Sequence, residues 1–220
     1  MANESNERNE VSELVQAVEG SKEFLEWKKG NKSAHLSSMF AMGKGAKQLN
    51  EWLLSYYDWK DDTFTTFSTS GSLMAAKEQA FKKGRTVPVL EAGSVKVEIW
   101  NSLKIAENVR ASNYKGEEAN TIITILQPLT HEEFLGGNNN SSNSDGKERR
   151  KIGKKGTQKE TKREKAAAEM KAEESEARPV WNITYITRSF NVINIKIDAE
   201  TGDVLNHGIS GVMDFMQKDK

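Results

Sequence analysis

The sequence predicts an α+β protein of two helix-plus-antiparallel-sheet units, interrupted by a long charged insertion. Three observations carry this prediction. An amphipathic helical stripe is followed by β-prone segments, the same order begins again after residue 90, and a very polar block splits the second set of strands. With 36% hydrophobic residues and a mean hydropathy of −0.70, the 220-residue chain is expected to keep part of its length solvated.

In the first unit, residues 1–90, Val11, Leu14, Val15, Val18 and Leu25 fall at spacings of three, four and seven, which places them on one stripe of a helix ending near Gly30. Three extended segments follow. Ala34 to Gly43 alternates Leu36, Phe40 and Met42, Glu51 to Trp59 is aromatic-rich, and Thr63 to Thr69 reads TFTTFST. The intervening KDD marks a hairpin turn, whereas Ser72 to Lys83 reads equally as strand or short helix.

Pro88 and Gly93 punctuate a connector into the second unit, residues 91–220. Ile99, Leu103, Ala106 and Val109 share one helical face, and Asn120 to Gln127 is a β-branched run. Trp181 to Thr187 and Val192 to Asp198 alternate as strands, and ISGVMDFMQ at 209–217 reads as a short amphipathic helix. The two units can be superposed: WLLSYYD at 52–58 matches WNITYIT at 181–187, and Gly71 and Gly202 follow their tryptophans at similar distances. Internal duplication is the reading this supports.

An insertion at about 129–179 divides the second unit. It contains GGNNNSSNSDG, then a basic run, then AAAEMKAEESEA, and lacks the apolar surface that would offset its ordering, so a disordered loop joining two paired strands is expected. Between Lys147 and Lys165 there are ten lysines or arginines against three glutamates. Arg149, Arg150, Lys151, Lys154 and Lys155 are therefore the candidate contacts for an anionic partner, although no aromatic residue offers base stacking and a solvated linker is the preferred reading.

The segments VEIWNSLKIAENV at 97–109 and VINIKIDAETGDVL at 192–205 resemble the helix and the closing strand-turn of the PepSY domain family. Asp198, Thr201 and Gly202 form the family-like turn, and Trp181 matches a tryptophan often found at the start of the middle strand. The resemblance covers roughly residues 94–127 and 179–210, with the first unit as a diverged copy. It implies PepSY/cystatin-like units, each a helix across an antiparallel sheet. It also implies a binding or regulatory role, since protease inhibition and ligand binding have been proposed for the family.

Charge and motif content narrow the chemistry. Lysine plus arginine equals aspartate plus glutamate at 32 each, so the whole molecule does not attract polyanions, and no cysteine is present for thiolate ligation or catalysis. His35, His131 and His207 stand apart from one another in sequence and read as solvated. Asp198, Glu200 and Asp203 could hold calcium, but their spacing is not that of an EF-hand, and they read as turn formers. FAMGKGAKQ lacks the Walker spacing, and no serine sits in a nucleophile elbow.

No catalytic group, cofactor or metal is therefore expected. Trp52 and Tyr56 share one strand face, and Tyr57 and Trp59 the other; the second pair, if exposed, would be a partner surface, with packing the preferred alternative. The polar amino terminus and the lack of an apolar run of about 20 residues lead us to expect a soluble, cytoplasmic, non-enzymatic binding protein. Its partner would be a protein or small ligand, with a dimer through a sheet edge as a further option. A nucleic-acid- or ribosome-associated protein anchored by residues 147–165 is the alternative.

Overall fold

The computed structural model describes residues 10–45, 48–70, 72–79, 87–130, 133 and 177–211. In chain order these form α1 (Glu10–Glu19), α2 (Lys22–Gly30), β1 (Ala34–Gly43), β2 (Leu53–Asp58), β3 (Thr63–Ser68) and β4 (Leu73–Gln79). A 3-10 turn (Ala92–Ser94) leads into α3 (Ile99–Asn113), β5 (Ala119–Leu129), β6 (Arg178–Thr187), β7 (Asn191–Asp198) and β8 (Val204–Gly211). The chain is α+β, and the eight strands among the described residues lie in one antiparallel sheet of order β4-β3-β2-β1-β5-β6-β7-β8.

Each half of the sheet is a meander, and the halves join where β1 pairs with β5, from Met39 opposite Leu126 to Gly43 opposite Ile122. β5 and β6 pair from Ala119 opposite Thr187 to Leu129 opposite Arg178, so the strands flanking the insertion are direct neighbours. The expected disorder of the insertion concerns residues outside those described, as do Arg149, Arg150, Lys151, Lys154 and Lys155.

The structure corrects two sequence expectations and decides one left open. The single stripe over residues 11–27 is two helices, because Gly20 and Ser21 end α1 and the Ser21 hydroxyl accepts from the Phe24 N–H at 3.2 Å, capping α2. Residues 73–79 form a strand, since β3 offers them a paired edge. Ile209 to Gly211 belong to β8 rather than to a helix: pairing with β7, including Ile193 opposite Ile209, overrides the helical spacing. Each half therefore has four strands rather than the three expected of the second unit, and the remainder of ISGVMDFMQ, from residue 212, lies outside the described residues.

All three helices cover one face of the sheet. Residues opposite one another in an antiparallel pair share a face. The face bearing Leu36, Met39, Leu54, Tyr56, Phe67, Ile122, Leu126, Ile183, Ile193 and Ile195 is buried beneath Val11, Val15 and Val18 of α1, Phe24 of α2, and Ile99, Leu103 and Ala106 of α3. Phe24 and Trp27 wedge between Tyr56 and Phe67, with ring centroids 4.8 to 5.8 Å apart. At the centre, Trp52 and Trp181, one from each half, meet edge to face at 6.0 Å.

Two substitutions test this core. Trp181 is fully buried and its indole N–H donates to the Val97 carbonyl at 2.7 Å, so Trp181→Phe should cost about 2 to 4 kcal/mol in urea unfolding, by cavity formation and by leaving that carbonyl only the longer 3.4 Å bond from the Ser102 hydroxyl. Thr124, also fully buried at the seam, has a hydroxyl without a hydrogen-bond partner among the described residues. Thr124→Val should therefore raise the thermal midpoint, by roughly 1 kcal/mol of added stability.

Candidate binding surfaces

The Asp198–Gly202 turn is a structural clamp. Asp198 is buried and its Oδ1 accepts from the Glu200 and Thr201 N–H groups at 2.8 and 3.1 Å, while its Oδ2 receives Arg178 at 3.2 Å. Gly202 has φ +85°, the left-handed conformation that favours glycine, and its N–H donates to the Asp198 carbonyl. The Ala199 carbonyl accepts from both Lys96 and Val97 N–H at 2.9 Å, tying the turn to the segment that starts α3. Thr201 bonds Asp203 at 2.8 Å, so the turn's polar groups are largely engaged with one another and with this connector.

The hairpin between β2 and β3 separates Tyr57 from Trp59. Tyr57 is buried, its hydroxyl donating to Asp62 at 2.7 Å and its ring lying 5.2 Å from Phe64 and 5.6 Å from His35. Trp59 lies beyond the end of β2, in the turn, and is 61% exposed with Lys60 over its ring. Of the two residues considered as a partner surface, Tyr57 is packed, in line with the preferred reading, whereas Trp59 is a surface residue because strand alternation stops at Asp58. Asp58 holds the tip by accepting from Ser33 Oγ at 2.6 Å and Lys60 N–H at 2.9 Å.

Two of the histidines are integrated into the fold rather than merely solvated. His35 Nε2 lies 3.0 Å from the Val87 carbonyl, and His207 Nδ1 lies 2.7 Å from the Tyr114 hydroxyl, because the strands that carry them run beside the connector and the end of α3. His131 lies outside the described residues. Among the described residues no three His, Cys, Asp or Glu side chains converge as metal ligands.

Two clefts open on the surface. One of about 520 Å³ lies between α1 and the start of α3, with Glu10, Glu13, Trp52 and Trp100 in its walls. Burial raises the pKa of Glu10 despite a hydrogen bond with Trp100, and the Glu13 charge raises it further. Neighbouring Glu98 is also raised by burial, although the Val11 N–H donates to it at 3.1 Å. A second cleft, of about 340 Å³, lies beside the turn, with Leu90, Pro128, Arg178 and Glu200 among its walls. Sequence spacing did not point to either, since each is assembled from segments distant in the chain.

A further unassigned surface is the sheet itself. The face away from the helices carries Leu53, Phe40, Ile125, Asn182, Lys196 and Asn206 in one row across β2 to β8. The next row runs Met42, Ile123, Thr184, Asn194 and Gly208. Most of these side chains are half-buried; α1, α2 and α3 all lie on the other face, and Lys196 reaches the Glu133 carbonyl at 2.9 Å. Within this sheet, β4 and β8 are the edges.

No family model matches the chain, and neither the curated proteins nor the solved structures compared with it yield a match. Among the described residues no helix is long and apolar enough to cross a membrane.

Two measurements test the turns. Gly202→Ala should destabilise by roughly 1 to 2 kcal/mol, because a Cβ is strained at φ +85°, as read by chemical unfolding. For Asp58, burial pushes the carboxyl up, but hydrogen bonds from Ser33 and from the Lys60 and Asp61 backbone, with the Lys60 charge, outweigh it and leave the pKa below 3.8. Its stabilising contribution should be present above about pH 5 and lost as pH falls through that depressed value, and Asp58→Asn should flatten stability against pH in this window.

Proposed function

We propose that the chain is a non-enzymatic, PepSY-like binding or regulatory protein, built from a duplicated helix-plus-sheet unit and acting by surface complementarity rather than bond chemistry. The PepSY assignment rests on the sequence resemblance. Duplication is supported by the sequence match and by the two four-stranded meanders flanking the β1/β5 seam. A cytoplasmic setting belongs to the same reading.

The observation that carries a binding role is the contrast between the two sheet edges. β4 has two register shifts, Lys77 at φ 53° and a Lys77–Asp61 ion pair, features that discourage strand addition. β8 is eight residues long, contains neither lysine nor proline, and exposes Val204 and Ile209. A protein segment would add as a strand along β8, its backbone bonding outward-facing groups of this edge strand and its side chains reading Val204 and Ile209.

Single proline substitutions from Leu205 to Ser210 test this, because backbone N–H groups of an edge strand alternate between the neighbour and solvent. Variants that keep the wild-type thermal midpoint, those whose N–H faces outward, should lose capture of the partner identified with the intact chain. If every folded proline variant retains capture, edge addition is wrong. Capture that instead disappears at moderate salt, and on replacing residues 136–178 with a short glycine-serine turn, would favour the basic-anchor alternative.

A further inference from the structure

The open face of the sheet departs from what a water-facing antiparallel sheet should show. Such a sheet normally reads apolar toward its core and polar toward solvent. Here Phe40 and Met42 of β1, Leu53 of β2, and Ile123 and Ile125 of β5 all stand on the side away from the helices, next to one another through the strand pairings. Met42 is 57% exposed, and the other four are half-buried. Toward β8 the same face becomes mostly polar, with Lys196 as the charged residue of its two middle rows: Asn194 bonds Thr184 at 2.9 Å and also pairs with Asn182, and Asn206 and Ser210 continue the surface.

We propose that this face is the contact between two copies of the chain, which pack back to back as a four-layer α–β–β–α dimer. Charge argues for this occupant. In the two middle rows Lys196 is the one charged side chain among the described residues, and its ammonium is directed to the Glu133 carbonyl at 2.9 Å. A nucleic acid, an anionic lipid surface or a charged peptide would find little to pair with. A second copy presents the same surface with little charge, so apolar centre meets apolar centre about a twofold axis.

Area argues the same way. The six strands β2, β1, β5, β6, β7 and β8, spaced about 4.8 Å apart and each offering roughly six residues at about 3.3 Å, project on the order of 570 Å². That is near the lower bound of roughly 600 Å² per partner for a specific, stable interface. Two such sheets can stack about 10 Å apart with interdigitating side chains, leaving both helical layers outside. The basic run Lys147–Lys165 is a poor competitor for the face, because burying its charges would carry a desolvation cost. This proposal stands apart from strand addition at β8, since face and edge respond to different substitutions.

Sedimentation of the full chain between about 1 and 100 µM tests it, with monomer and dimer distinguished against the 24.6 kDa of one chain. The wild type should dimerise, and Met42→Lys and Ile123→Lys should each weaken the dimer by at least about tenfold, as expected for an unpaired charge in the buried centre. Met74→Lys, at an exposed position on β4, should leave it intact. If Ile123→Lys fails to fold, Met42→Lys alone decides, because its side chain is already exposed. A full chain that is monomeric at about 100 µM overturns the proposal, as does a dimer that tolerates the face lysines. If removing residues 212–220 turns a monomer into a dimer, that segment rather than a second copy covers the face, and the proposal also falls.

Discussion

The pairing of β1 with β5 is the constraint on which the rest of this structure depends. Each half taken alone offers a four-stranded meander with one apolar face, beneath two short helices in the first half and one helix in the second. A unit of that size buries little. Joining the strands at the seam makes one sheet, brings Trp52 of the first half against Trp181 of the second, and lets three helices lie over a continuous core. The register is specified because a slip of one residue would turn Met39 and Leu126 out of the core and put Phe40 and Ile125 into it.

A second set of contacts fixes the helical layer to this sheet. The Val97 carbonyl accepts the Trp181 indole N–H, and the Val97 N–H donates to Ala199, so one residue before α3 is held by both the middle strand and the closing turn of the second half. Glu98 next to it accepts from the first turn of α1, linking the two helical regions through a carboxylate whose burial raises its pKa. Trp181, Val97 and the Asp198–Gly202 turn are thus committed to holding the fold. Function is accordingly sought on the surfaces this clamp leaves free.

Those surfaces are the outer face and the β8 edge, and their different chemistry gives them different uses. An edge presents backbone groups and is selective through a few side chains, whereas a face presents a broad side-chain surface with little charge. A back-to-back dimer would cover the face and leave both β8 edges and the clefts at α1 and Arg178 accessible. Self-association and partner binding can therefore coexist on one sheet, one through side chains and the other through backbone.

The sequence by itself determined the α+β class, the strand alternation from Trp181 to Asp198, the start of α3 and the turn at Gly202, because these follow from local periodicity, capping and backbone conformation. It also contained the Gly20–Ser21 break, which the continuous apolar stripe concealed. Only the tertiary structure decided that Ile209 lies in a strand, that Tyr57 is buried while Trp59 is exposed, and that Phe40, Met42, Ile123 and Ile125 share one uncovered surface. The physical reason is common to all of these. Alternation assigns a residue to one of two faces, but which face meets helices, and which marginal segment becomes a strand, depends on neighbours contributed by distant parts of the chain.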